Sequence, residues 1–170
     1  VILFGGVMIA LGWDFTNLST TDVEVNTYEI TTEFQNINIK TGTADVSFYH
    51  AEDGKTTVVC SETVNMKHDV NVIDGVLTIS VQDKRSWLEH IGIYFHKNEV
   101  KVYLPEEVYG AMKVKSVTGD TLISDGFTFE DIDVSVTTGD VRMTGVTCGS
   151  LQSEGSTGDV TLENVIVDDS

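Results

Sequence analysis

The sequence is poor in cations, in proline and in cysteine, and each shortage excludes something. Ten Lys and Arg stand against 27 Asp and Glu, a formal charge of −17. Nucleic acid is therefore excluded as a partner, because phosphate binding needs clustered cations, and docking on an anionic membrane surface is opposed by the same charge. A single proline beside 15 glycines leaves the turns to glycine. Cys60 and Cys148 are the two cysteines, with no CxxC or Cys/His spacing. That rules out a disulfide framework, and it leaves open one bridge in an oxidising compartment or two idle, buried thiols. The chain also lacks GxSxG, P-loop, dinucleotide-binding, HxH and HExxH patterns.

What is present is enough apolar material to fold, 41% of the residues, arranged with period two. Ile37-Asn-Ile39, Val46-Ser-Phe48, Val58 to Cys60, Val70-Asn-Val72, Val76-Leu-Thr-Ile79-Ser-Val81 and Val100-Lys-Val-Tyr-Leu104 each alternate or run apolar. Such alternation puts one set of side chains inward and the other outward, so the chain is all-β. Glu52-Asp-Gly54, Asp74-Gly75 and Pro105-Glu-Glu107 separate the runs, and Asp74-Gly75 is a strong hairpin signal. Arg85 to Ile91 reads as a covering loop or two helical turns.

The first residues differ from the rest. Val1 to Trp13 carries no charge and meets Asp14 and then a polar stretch. Residues 1–15 are expected to be the remnant of an N-terminal transmembrane helix with Trp13 at the interface, both chain ends reading as cut. A signal-peptide core is the competing reading and a buried helix the third. Residues 16–29 follow as a linker or first strand, and residues 30–170 form the β domain.

The decisive feature is a repeat. Units near 112–131, 132–150 and 151–170 share Thr118-Gly119-Asp120, Thr138-Gly139-Asp140 and Thr157-Gly158-Asp159, glycines spaced by 20 and then 19. Ile37 to Val46 echoes the unit, with two residues inserted between Gly42 and Asp45. A fixed period of this size means stacked supersecondary units. Each unit reads as strand, Thr-Gly-Asp corner, strand and return, and stacking sets equivalent strands side by side in a parallel β-solenoid. An antiparallel β-sandwich or a β-roll is the alternative, favoured by the Asp74-Gly75 hairpin for the first half.

Phe34 to Val46, the Val100-Lys-Val-Tyr-Leu-Pro105 strand and the three Thr-Gly-Asp units together resemble a bacterial putative-adhesin family of β-strand-repeat domains. It is a domain of unknown function related to auto-transporter adhesin head domains. The resemblance spans roughly residues 30 to 165. It implies a right-handed parallel β-helix or a related β-roll, tethered to the membrane in many members and placed outside the cytoplasm. Some relatives are linked to envelope-stress responses, and no catalytic residues come with the resemblance.

Three chemical leads remain. Stacked Asp120, Asp140 and Asp159 would repel, and Ca²⁺ would relieve this; hydrogen bonds from corner amides are the simpler remedy. His90 and His96, near Glu89, are a weak zinc candidate. Trp87, Tyr94, Phe95 and Tyr103 offer a partner surface or a seal on the core. From Ser116 to Ser170 there are eleven carboxylates and one cation, Arg142, a charge that repels the anionic sugars of a polysaccharide lyase. The expectation is a non-catalytic, single-pass, extracytoplasmic module without cofactor, save the Ca²⁺ candidate. Its partners would be an envelope protein or glycan, the membrane through its anchor, and a second copy of itself. The alternatives are an envelope-stress sensor acting through a membrane partner and, behind it, a polysaccharide-active enzyme.

Overall fold

The computed structural model describes residues 23–63, 67–82 and 98–168. The apolar segment 1–15 lies outside them. Among the described residues no helix is long and apolar enough to cross a membrane. The chain is all-β, with strands β1 (Val23–Ile30), β2 (Asn36–His50), β3 (Thr56–Thr63), β4 (Lys67–Ile73), β5 (Val76–Gln82), β6 (Asn98–Leu104) and β7 (Val108–Thr118). Six more follow in the repeat: β8 (Thr121–Ile123), β9 (Thr128–Thr138), β10 (Val141–Thr144), β11 (Thr147–Thr157), β12 (Val160–Glu163) and β13 (Ile166–Val167).

Two sheets enclose one core and share the long strand β2. One runs β1, β3, β6, the C-terminal half of β2, β8, β10, β12. The other runs β4, β5, the N-terminal half of β2, β7, β9, β11, β13. Strand β2 and the pairs β7–β8, β9–β10 and β11–β12 are therefore successive coils, each crossing from one sheet to the other at its corner. All the contacts between them are parallel. The solenoid reading holds for this part of the chain.

The antiparallel alternative describes the other part. Strands β5 and β6 both lie parallel to β2 on its far side, making a further coil out of chain order. Beyond it the chain turns antiparallel, with β4 on β5, β3 on β6 and β1 on β3. The β4–β5 hairpin turns at Asp74 and Gly75, both at positive φ (50° and 74°), the geometry an Asp-Gly hairpin turn requires.

Period-two patterning becomes ladders of like residues. Leu77, Ile37, Met112, Ile132 and Leu151 stand in register across five strands, and Phe48, Ile123, Met143 and Leu162 across four. Most are fully buried, each contributing about 1.5–3 kcal/mol of burial. The ladders run out at the last coil, where Val160, Leu162, Ile166 and Val167 are about half exposed.

Candidate functional site

The Thr-Gly-Asp triplets are stacked, and the structure shows what each residue type does. Asp120 donates its backbone N–H to Asp45 Oδ1 (2.8 Å), Asp140 to Asp120 Oδ1 (2.9 Å) and Asp159 to Asp140 Oδ1 (2.9 Å). Coil-to-coil backbone bonds flank them, from Val46, Thr121 and Val141 N–H to the carbonyls of Asp120, Asp140 and Asp159 (2.8 Å each). The carboxylates of Asp45, Asp120 and Asp140 thus each accept an amide of the following coil, which disperses their charge.

Glycine is needed for a separate reason. Gly119, Gly139 and Gly158 sit at φ 137°, 141° and 126°, where L side chains are strained. A methyl group on Gly139 would also overlap the Gly119 carbonyl, and one on Gly119 the Ala44 carbonyl. Backbone is packed on backbone at every corner.

The first coil corrects the sequence alignment. Ile37 pairs with Met112, Thr43 with Thr118 and Val46 with Thr121 at one constant offset, and Asp45 receives the Asp120 amide. The corner equivalent to Thr118-Gly119-Asp120 is therefore Thr43-Ala44-Asp45, with no insertion. Gly42 lies outside it, with open space where its side chain would be. Glycine identity misled the alignment. Alanine is accepted because Ala44 lies within continuous strand β2, without the positive φ of the later corners.

Outward positions also form ladders. Asn38, Lys113, Asp133 and Gln152 are in register, with Lys113 Nζ 2.9 Å from an Asp133 carboxylate oxygen. Next to them stand Lys40, Lys115, Ser135 and Glu154. This face is polar and mixed in charge, whereas the corner edge is a column of carboxylates.

A third constellation was not anticipated. In β3 the inward phase is Thr56, Val58, Cys60 and Glu62, so a carboxylate occupies a core position and is fully buried. Its Oε1 accepts both the backbone N–H and Nδ1–H of His68 (2.8 Å for the ring), and its Oε2 accepts Asn26 Nδ2–H (3.0 Å). His68 is buried as well, and its Nε2 has no hydrogen-bond partner. Among the described residues, Cys60, Glu62 and His68 are the group whose metal-ligating atoms converge, all within 4.8 Å of one another. Burial, then the Glu62 charge, pushes the Cys60 thiol up to about 12. Burial and then Glu62 likewise push the Tyr28 phenol up to about 12. The sequence signal was the phase itself: carrying Val58–Cys60 two residues further places Glu62 inside.

Of the other predicted residues, Tyr103 lies on β6, paired with Tyr49 across the strands with ring centroids 5.6 Å apart. Trp87, Tyr94, Phe95, His90 and His96 fall outside the described residues. Cys60 and Cys148 are both free thiols and both buried, on different sheets.

The sequence profile of the Toastrack DUF4097 family, a domain of unknown function, matches residues 34–169. The chain belongs to the Toastrack family. Among solved structures, this Toastrack domain is similar to a putative cell adhesion protein from Clostridium sporogenes, at 14% identity and a TM-score of 0.55, over 84% of this chain and 99% of that one. A putative adhesin from Bacteroides fragilis matches at 13% identity and a TM-score of 0.44, over 85% of this chain and 97% of that one. A putative lipid binding protein from Parabacteroides distasonis matches at 9% and 0.34, over 86% and 96%. At such identities the likeness speaks to fold alone. No curated protein matches this chain's sequence.

Proposed function

We propose that this Toastrack domain is a non-catalytic binding or scaffold module of the cell envelope, an adhesin-type domain held outside the cytoplasm by the apolar segment 1–15. One observation carries the reading. The corner residues hold coil to coil, so the solenoid is a rigid frame, and the frame presents outward ladders such as Asn38–Lys113–Asp133–Gln152, parallel strands at about 4.8 Å spacing. A surface that repeats suits a partner that repeats, an envelope glycan or a multi-subunit protein. The name of the similar Clostridium sporogenes structure, a putative cell adhesion protein, agrees with this. Self-association through the half-exposed apolar residues of the last coil, Val160 and Leu162 on β12 and Ile166 and Val167 on β13, is a second element of the proposal, tested by light scattering across a concentration series.

The function is tested by presenting the domain to an envelope glycan panel and to solubilised envelope fractions. The reading expects saturable glycan or matrix binding that weakens when Lys113 and Asp133 are replaced together, with no turnover. Recovery of a single integral membrane protein would favour the stress-sensor alternative, and appearance of cleaved glycan would favour an enzyme.

A further inference from the structure

We propose that Cys60, Glu62 and His68 form a transition-metal site whose occupant is Zn²⁺. The three side chains supply a sulfur, an oxygen and a nitrogen, the donor set that zinc takes and that hard cations such as Ca²⁺ do not. Their donor atoms converge within 4.8 Å. Glu62 Oε1 and His68 Nδ1 are already 2.8 Å apart, close to the roughly 3.3 Å separating two light ligand atoms around tetrahedral zinc with bonds of about 2.0–2.1 Å. Small rotations of the side chains close the site.

Position in the fold supports this. Cys60 and Glu62 alternate on the inward face of β3, and His68 enters from the start of β4, so the ligands come from two elements in different sheets. Asn26 on β1 donates to the other Glu62 oxygen and holds the carboxylate turned toward the histidine, the role of an outer partner in zinc sites. Glu62 is a fully buried carboxylate, and buried charges are paired or coordinate metals. On binding, Cys60 releases its thiol proton to solvent and the neutral His68 ring gives up its proton at Nδ1 and takes one at Nε2, so that Nδ1 faces the metal while thiolate and carboxylate together neutralise the dication. Three protein donors leave one tetrahedral position for water.

The test uses Co²⁺, which reports its own ligands by colour. The purified, reduced, chelator-stripped chain is titrated with Co²⁺ and then with Zn²⁺. The proposal expects one equivalent to give a thiolate-to-cobalt charge-transfer band with tetrahedral d–d bands, both bleached by Zn²⁺ and unaffected by Ca²⁺. The sequence holds one other cysteine, Cys148, so the Cys148→Ala chain must keep the band. Cys60→Ala must lose it and bind Zn²⁺ at least about a hundredfold more weakly. If Cys60→Ala fails to fold, retention of the band in Cys148→Ala still assigns the thiolate. No band at one equivalent, or a band abolished by Cys148→Ala, overturns the proposal.

Discussion

From Val108 to Asp168 one solution recurs: an aspartate amide on the carboxylate of the coil before, a glycine backbone against backbone, aliphatic residues in register beneath. From Val23 to Leu104 only β2 shares in the repeat. There the strands are stacked out of chain order, most pairings are antiparallel, and the core admits Glu62, His68 and Asn98 beside its aliphatic residues. The difference shows where a solenoid keeps chemistry. A repeated coil stacks similar residues level on level, so its interior is mostly aliphatic, with Ser116 and Thr121 as small buried polar members, and among the described residues no acid enters it. The non-repeating end is free of that constraint and can bury a polar cluster.

The largest expected effect breaks the repeat at one atom. Gly139→Ala adds a methyl against the Gly119 carbonyl at a φ of 141° and should cost about 4 kcal/mol or more in urea unfolding. Gly42→Ala, at the glycine that sequence alignment pairs with it, should change stability by less than about 0.5 kcal/mol. A second substitution attacks the other half. Glu62→Ala strips acceptors from Asn26 and from the backbone and ring of His68 and should cost about 3 kcal/mol.

The two cysteines compare the halves through pH. Burial raises the Cys60 thiol from 9.0 to about 12 and also raises Cys148. The folded chain holds these protons after the unfolded chain has lost them. Their contribution is therefore fully present below pH 9 and falls as pH rises toward 12, by on the order of 2 kcal/mol at pH 11 for Cys60. On the chelator-stripped chain, Cys60→Ala should flatten most of this alkaline slope and Cys148→Ala less, read by urea unfolding at stepped pH.

Smaller effects follow along the ladder. Asp140→Ala removes the acceptor for the Asp159 amide and should cost about 1 kcal/mol; Asp159→Ala, in the last coil, should cost almost nothing. Ca²⁺ should leave the melting temperature unchanged, because the Oδ1 atoms of Asp45, Asp120 and Asp140 already accept an amide. A rise on adding Ca²⁺ would reinstate the cation reading of the corner.

Much of the repeat half was legible in the sequence, because a parallel stack repeats its residues as it repeats its geometry: period, corner triplet and inward phase all appear in the chain. The β4–β5 hairpin was legible too, since Asp74-Gly75 acts locally. The pairing of β1 with β3, of β3 with β6 and of β6 with β2 was not, because it joins segments by long-range topology that leaves no local trace. Thr43-Ala44-Asp45 was passed over because its central residue is alanine while a glycine stands two residues earlier. Glu62 and His68 were passed over because a single acid after Cys60-Ser61 looks like any surface acid until β3 is seen to have neighbours on both sides.

The central claim is that one interlocked column of corners runs from Asp45 to Asp159, and amide hydrogen exchange tests it most directly. The amides of Asp120, Asp140 and Asp159 should be protected although their corners are exposed, and Asp45→Ala should release the Asp120 amide while the other two stay slow. An Asp120 amide that exchanges at the same rate with and without the Asp45 carboxylate would contradict the account.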